Sequence, residues 1–292
     1  MKKLKITGIA LIAAALLTGG GYLVLKNLNP RQRVKGENGA QIVVEALSYY
    51  NSSGQKISGR IYRQEGISGK LPLAVFCHGF GSTMHSGDDF CKALASRGWA
   101  AYAFDFRGGS RNSTSDGSTL DMSVMTEVED ATLVLKKLGK EKFIDRKNVF
   151  LIGQSQGGEV AALTAADLKK DVSGLVLIFP AFVIQDDNHK KYSRLKDVPD
   201  STSYGFITVG KPYFKDTWKL DPFKKIGKYK GPVLIMHGTD DQLVPISYSR
   251  KAAATYSNAR LETFEGAGHG FTGTDRSRAI SLATDFLDNN IH

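Results

Sequence analysis

The sequence predicts an α/β fold, in which helices cover both faces of a mainly parallel sheet. From residue 73 onward, short apolar runs of strand length alternate with amphipathic helical patterns up to a last helix at residues 275–288. Continuous apolar runs are typical of strands buried on both faces, and the alternation requires crossover helices. The chain is also long enough to bury such a core as one domain. Functional groups are then expected beyond the carboxyl ends of the strands.

Hydrophobic periodicity places the individual elements. Two stretches of alternating polarity, residues 41–49 and 56–63, flank N-S-S-G at 51–54 and predict a β-hairpin. Residues 180–229 have poor periodicity and three prolines, so we expect an insertion above the functional edge, a lid or substrate-binding cap. The strands are predicted at residues 73–77, 100–104, 149–152, 174–178, 233–236 and 260–264, and the helices at 88–97, 122–138, 159–168, 247–256 and 275–288.

The first 36 residues differ from the rest of the chain. Three lysines precede an apolar run of about 20 residues from Ile6 to Leu25, long enough to cross a bilayer core. We expect an uncleaved anchor with an extracytoplasmic catalytic domain over residues 37–292. A cleaved signal peptide, which would give a secreted protein, remains the alternative, although no A-x-A-like site stands out.

The net charge of +10 is concentrated in this N-terminal segment. Seven Lys and Arg residues precede the first acidic residue, Glu37, and without them 32 basic residues face 29 acidic ones, a net +3. The basic residues flank the predicted membrane segment, where they can meet anionic lipid head groups. The remainder of the chain has too little basic excess to predict nucleic-acid binding.

Cysteine and ligand patterns indicate neither a disulfide nor a bound group. Cys77 and Cys91 lie in a predicted strand and a predicted helix, and their spacing fits no disulfide framework, so two buried thiols are expected. No Cys and His cluster has metal-ligand spacing, and there is no Gly-rich phosphate loop of the Walker type. We therefore expect no metal and no cofactor.

The pentad G-Q-S-Q-G at residues 153–157 lies between a predicted strand and a predicted helix. This is the context of the nucleophile elbow, in which glycines allow a tight turn that exposes the serine hydroxyl. The helix behind the turn offers unpaired N–H groups and the positive end of its dipole. The pattern predicts Ser155 as a nucleophile.

A nucleophilic serine needs a base and a third group that orients the base. Because the chain order of this elbow type is Ser, then Asp or Glu, then His, both partners must follow Ser155. His269, in a glycine-rich loop between the last strand and the last helix, is the predicted base. Asp241 is the predicted acid, with its neighbour Asp240 as the alternative.

The oxyanion formed during acyl transfer needs two backbone N–H donors. The residue after the nucleophile, Gln156, is one, and Phe80 in H-G-F-G at residues 78–81 is the other. His78 precedes the serine and is expected to brace its loop. Two further polar groups are interpreted as structural: Asp105 and Arg107 as a turn-bracing pair, and the glutamates of 126–130 as a solvated helix face.

With these motifs, the chain resembles the bacterial cinnamoyl (feruloyl) esterases of the α/β-hydrolase superfamily over roughly residues 40–290. The shared motifs include H-G-F-G at 78–81, E-V-E-D at 127–130, S-Q-G-G at 155–158, H-G-T-D-D at 237–241 and V-P-D at 198–200. The resemblance implies the α/β-hydrolase fold and a serine esterase that cleaves small ester substrates. It also implies that Asp187 and Tyr213 in the insertion contact the phenolic end of a hydroxycinnamoyl group, beside an aromatic wall from Phe182, Phe206 or Phe214.

The sequence also departs from that family. Gln154 stands where a histidine often precedes the serine, and the N-terminal segment is an addition. Three alternatives therefore stay open beside an esterase for hydroxycinnamoyl or short acyl esters: a serine peptidase, an acylglycerol lipase, or a non-catalytic membrane-tethered binding protein.

Overall fold

The computed structural model describes residues 31–292, and its centre is a nine-stranded sheet in the order β1-β2-β5-β7-β6-β8-β9-β12-β13. The six strands from β7 to β13 in this order pair in parallel, whereas β1, β2 and β5 pair antiparallel. The strands are β1 Gln32–Lys35, β2 Gln41–Ala46, β3 Tyr49–Tyr50, β4 Lys56–Ile57, β5 Gly59–Gln64, β6 Leu71–Cys77, β7 Ala100–Phe104, β8 Ile144–Gln154, β9 Gly174–Ile178, β10 Ser201–Tyr204, β11 Ile207–Gly210, β12 Val233–Gly238 and β13 Ala259–Phe264.

Helices cover both faces of the sheet, as the sequence predicts, and two apolar cores lie between the layers. The parallel strands are buried almost throughout because their residues face a helix on either side. Cys77 in β6 and Cys91 in α1 are buried free thiols, as expected. The helices are α1 Asp88–Ser96, α2 Val124–Leu138, α3 Gln156–Leu168, α4 Ile184–Lys191, α5 Pro212–Lys215, α6 Pro222–Ile226, α7 Ile246–Thr255 and α8 Gly273–Asp288.

The predicted hairpin is present, but its ladder is interrupted. β2 pairs with β5 in the main sheet, and the short strands β3 and β4 pair separately next to the turn. One further strand lies outside the sequence prediction: β1 pairs with β2 and places Gln32–Lys35 in the sheet. The predicted domain boundary at residue 36 is therefore too late. The sequence does not predict β1 because it is a short strand of mostly polar residues. Such polar edge strands protect a sheet from pairing with further chains.

The predicted membrane segment lies outside the described residues. Within residues 31–292 no helix combines the length and the apolar character that a bilayer crossing requires.

The insertion at residues 180–229 folds into small elements above the carboxyl edge of the parallel strands. It contains α4, the antiparallel hairpin of β10 and β11, and the short helices α5 and α6. Aromatic contacts hold it together: the Tyr204 ring lies 4.8 Å from that of Tyr213 and 5.9 Å from that of Phe214. We refer to residues 180–229 as the cap.

Candidate active site

Ser155 lies at a sharp turn between β8 and α3, with the strained backbone angles φ 54° and ψ −122°. A non-glycine residue rarely adopts such a positive φ, and strain of this kind is concentrated at functional sites. Two glycines make the turn sterically possible. A Cβ on Gly153 would lie 2.3 Å from the Gly157 carbonyl oxygen, and a Cβ on Gly157 would lie 2.3 Å from the carbonyl oxygens of Cys77 and His78.

The structure brings the three predicted triad residues into one hydrogen-bonded line. His269 Nε2 lies 2.9 Å from Ser155 Oγ, and His269 Nδ1 lies 2.8 Å from Asp241 Oδ2. The loop after β13 carries His269, and the loop after β12 carries Asp241, so both reach the edge at which β8 delivers the serine. This geometry lets the carboxylate fix the imidazole tautomer in which Nε2 faces the hydroxyl.

Asp241 is the buried member of the adjacent carboxylate pair. Its side chain is inaccessible to solvent, whereas Asp240 is exposed. Burial alone would raise the pKa of Asp241, but hydrogen bonds from His237 and His269 and from the Val244 N–H outweigh it and hold this pKa well below its ordinary value. This lowered pKa favours the ionised carboxylate, the form that accepts a hydrogen bond from His269 Nδ1.

His237 is a neighbour of the acid that the sequence did not point to. Its Nε2 lies 2.8 Å from the Val244 carbonyl oxygen and 3.2 Å from Asp241 Oδ2, and its Nδ1 lies 2.7 Å from Ser249 Oγ. Both partners of Nε2 are acceptors, so this nitrogen donates. His237 thus braces the acid loop and is too enclosed to serve as the base. The signals for it in the sequence are its position four residues before Asp241 and its place at the start of H-G-T-D-D at 237–241.

The two predicted oxyanion donors flank the serine. Gln156 is the first residue of α3, where a backbone N–H has no partner within the helix. Phe80 follows Gly79, where an added Cβ would lie only 3.2 Å from the Ser155 Cβ. The next two N–H groups along this loop donate to carbonyls, Gly81 to Gly109 and Ser82 to Gly79. The Phe80 side chain lines the same cavity as Ser155, and the role of its N–H as an oxyanion donor stays a prediction.

The Gln156 side chain is held by two buried groups. Its Oε1 accepts a hydrogen bond of 2.8 Å from the Tyr213 hydroxyl, and its Nε2 donates one of 2.9 Å to Glu127. Burial raises the pKa of Glu127 well above its ordinary value, and the bond from Gln156 only partly opposes this. The interpretation of the glutamates of 126–130 as a solvated face is wrong for Glu127, which is 1% exposed because α2 packs against α3. Asp130 is also 1% exposed.

A cavity of about 590 Å³ opens beside Ser155. Both residues expected from the resemblance line it: Asp187, which pairs with Lys190 at 3.2 Å, and Tyr213, whose hydroxyl is engaged by Gln156. Of the expected aromatic wall, Phe206 lines the cavity, together with Phe80, whereas Phe182 and Phe214 are buried within the cap and its supports. The remaining lining residues are mostly apolar and include Ala181, Val183, Ile184, Tyr204, Leu243 and Val244.

Two family models match adjoining parts of the chain. The model described as serine aminopeptidase, S33, matches residues 72–203, and the model described as alpha/beta hydrolase fold matches residues 205–272. The structure of Est1E from Butyrivibrio proteoclasticus with bound ferulic acid superimposes with a TM-score of 0.75 at 23% identity, over 83% of this chain and 98% of that one. The chain has the α/β-hydrolase fold and resembles the serine hydrolases built on it.

Curated relatives of this hydrolase include a putative esterase/lipase of Mycoplasma genitalium, 23% identical over 74% of this chain and 88% of that protein. Its namesake in Mycoplasma pneumoniae is 31% identical, but over only 36% of this chain and 37% of that protein. A non-heme chloroperoxidase of Streptomyces lividans is 27% identical over 73% of this chain and 90% of that protein. The named esterases among the relatives and neighbours support the predicted enzyme class, a carboxylic ester hydrolase.

The remaining polar residues of the hydrolase support its loops. His78 Nδ1 lies 2.8 Å from the Gly79 carbonyl oxygen, and its Nε2 accepts a hydrogen bond of 3.1 Å from the Phe106 N–H, so it braces its loop as expected. Asp105 and Arg107 are not paired with each other. Asp105 accepts bonds from Met84 N–H and Thr114, and Arg107 binds Asp130. Each therefore fixes a different loop, which corrects the expected pairing.

Glu159, one turn into α3, is a buried acid whose partner comes from the cap, the amide of Gln185. Burial raises the pKa of Glu159 to about 8. In the unfolded chain the pKa of this carboxyl is near 4.5. Between that pH and pH 8, the unfolded chain loses the proton while the folded chain keeps it. The free energy of unfolding therefore falls as pH rises through this window, and this contribution is fully present only below it.

Glu159→Gln removes this titration and is expected to raise the free energy of unfolding, relative to wild type, by about 1 to 4 kcal/mol more at pH 8 than at pH 5. Urea unfolding of both chains at the two pH values measures the difference. Glu129→Gln is the matched control, because that side chain is 74% exposed and is expected to show the same effect at both pH values. An equal effect of Glu159→Gln at pH 5 and pH 8 would contradict a buried neutral acid.

Proposed function

We propose that the chain is a serine esterase that hydrolyses carboxylic esters through an acyl-enzyme. The observation that carries the proposal is the chain of hydrogen bonds that joins Ser155 to His269 and His269 to Asp241. Ser155, at one end of this chain, lines a mostly apolar cavity. This chain of hydrogen bonds supplies the nucleophile, base and orienting carboxylate that acyl transfer requires.

In the proposed reaction, His269 Nε2 takes the proton of Ser155 as Oγ attacks the ester carbonyl. The N–H groups of Phe80 and Gln156 stabilise the oxyanion, and Asp241 stabilises the imidazolium. His269 then protonates the departing alcohol, which leaves Ser155 acylated. Water, deprotonated by the same imidazole, attacks the acyl-enzyme and releases the acid.

The proposed substrates are hydroxycinnamoyl or short acyl esters. A ring entering the cavity meets the aromatic faces of Phe80 and Phe206 and two polar groups, the Asp187 carboxylate and the Tyr213 hydroxyl. Because the Tyr213 hydroxyl is buried and donates to Gln156, the Asp187 carboxylate is the stronger of the two acceptors for a phenol. The neighbouring Est1E structure was solved with ferulic acid, which fits the same chemistry.

An acylglycerol lipase is the second candidate function, and the mostly apolar cavity lining favours it. An alkyl chain could fill the space proposed for the phenolic ring, since apolar contacts are not specific for ring shape.

A panel of methyl ferulate, short acyl esters and long acyl esters separates the two candidates. We expect methyl ferulate or short acyl esters to give the highest kcat/KM, and Asp187→Ala to lower it for methyl ferulate about tenfold, because the phenol loses a charged hydrogen-bond acceptor. Methyl cinnamate, which lacks the phenol, is the matched control and is expected to be little affected. A clear preference for long chains would favour the lipase.

A further inference from the structure

The two most exposed large apolar side chains of the described residues lie together at the cavity opening. Phe206 is 71% exposed and Leu243 is 65% exposed, and both line the catalytic cavity. Leu120, 44% exposed, lies nearby, since its neighbour Thr119 donates to the Thr208 carbonyl on the hairpin that carries Phe206. Single exposed apolar residues are ordinary, whereas a group of them marks an interaction surface.

The cap that carries this opening has a basic excess. The cap, residues 180–229, contains ten Lys and Arg against six Asp and Glu, a net +4, whereas the rest of residues 37–292 contains 22 against 23, a net −1. The small basic excess of the catalytic domain therefore belongs to the cap. Lys190 and Lys191 line the same cavity as the apolar pair, together with Asp187, which pairs with Lys190 at 3.2 Å while leaving that lysine 72% exposed. We refer to Phe206, Leu243, Lys190 and Lys191 as the rim.

The N-terminal segment joins the domain from the side on which the rim lies. β1 is antiparallel to β2, β2 to β5, and β5 to β7, so β1 runs against the parallel strands. Its first residue therefore points toward the edge at which the parallel strands end. Ser155 follows β8 at that same edge. The chain thus enters the described structure on the catalytic side of the sheet.

The connection to the predicted membrane segment is short. From Leu25 to Gln32 the chain advances seven residues, which span at most about 25 Å when fully extended. Five strand spacings, about 24 Å, separate β1 from β8 across the sheet. Because this distance is about as long as the reach of residues 25–32, their attachment alone does not determine which part of the catalytic edge faces a bilayer. A second point of contact, at the apolar and cationic rim, would determine the orientation of the domain on the bilayer.

We propose that the rim docks onto an anionic lipid surface, with Phe206 and Leu243 entering the interface and the two lysines contacting acidic head groups. Docking turns the cavity opening toward the bilayer, so that an ester carried in the lipid phase reaches Ser155 without crossing water. This last consequence rests on the proposed esterase activity, whereas docking itself does not. Apolar burial combined with cationic contacts is the general basis of such interfacial binding.

The test uses the full chain with Ser155→Ala, reconstituted in vesicles whose acyl chains are brominated and therefore quench nearby tryptophan. Phe206→Trp places a reporter on the rim. Ile67→Trp is the matched control, because Ile67 is 41% exposed in the loop between β5 and β6, at the opposite edge of the sheet. The same chain without either substitution gives the background from Trp99 and Trp218. No turnover is measured, so the outcome does not depend on the proposed activity.

With vesicles containing anionic phosphatidylglycerol, we expect quenching at position 206 of at least about twofold and none at position 67. Lys191→Gln is expected to weaken docking about fivefold, whereas Lys170→Gln, an exposed lysine just before β9 at the opposite edge, has no effect. Equal quenching at both positions, or none at position 206, would overturn the proposal. A blue shift of the Phe206→Trp reporter that grows with protein concentration without vesicles would instead assign the rim to a second copy of the chain.

Discussion

Replacement of Ser155 by alanine is expected to lower turnover of short acyl p-nitrophenyl esters about 10⁶-fold, the loss seen when a nucleophile is removed from a unit of this kind. Ser155 Oγ is the atom that His269 Nε2 faces at 2.9 Å, and no other hydroxyl occupies that position in the described structure. The turn itself is expected to survive, because its close contacts are made by Gly153 and Gly157 and not by the serine hydroxyl.

Two controls make this result specific. Ser281→Ala removes an exposed hydroxyl in α8 and is expected to leave turnover unchanged. A fluorophosphonate, which reacts covalently with an activated serine, is expected to label the wild type and the Ser281→Ala chain but not Ser155→Ala. Retained turnover at a tenth of the wild-type level would exclude Ser155 as the nucleophile. Failure of the wild type to react with the fluorophosphonate would favour a non-catalytic binding protein.

The parts of this site that the sequence predicted are those with local signals. A strand, a glycine-flanked serine and a helix follow one another within a few residues around Ser155, and the parallel sheet brings the ends of successive strands to one edge. His269 could therefore be placed near the serine although 114 residues separate them. Chain order and loop position are sufficient to predict the triad, because the parallel sheet brings the loops that carry its members to the same edge.

The parts that the sequence did not predict depend on partners distant in the chain. Glu127 and Asp130 look like ordinary surface charges of an amphipathic helix, and only the packing of α2 against α3 buries them. Their partners, Gln156 and Arg107, lie 29 and 23 residues away. Since the sequence records neither the packing nor the pairing, a solvated face was the simpler interpretation. β1 is not predicted for a related reason, because its polar residues are as typical of a linker as of an edge strand.

Asp241→Asn is expected to lower turnover about 10⁴-fold, with little effect on the fold. Asparagine keeps an oxygen that can accept from the Leu243 and Val244 N–H groups, so the acid loop retains its backbone bonds. Its amide group, however, presents N–H donors where a carboxylate accepted from His269 Nδ1. The imidazole then places its own proton on Nε2, facing Ser155, and cannot act as the base.

Asp240→Asn is the matched control for this change, since it makes the same exchange of one carboxylate oxygen for an amide nitrogen at the adjacent residue. Asp240 is exposed, and the bond to its carboxylate, from the Thr239 hydroxyl, is long at 3.4 Å, so we expect turnover within about twofold of wild type, in line with ordinary surface substitutions. Steady-state kinetics of both variants with one p-nitrophenyl ester measures the contrast. A harmless Asp241→Asn beside a crippling Asp240→Asn would show that the acid is the other neighbour, and would require the loop after β12 to rearrange when substrate binds.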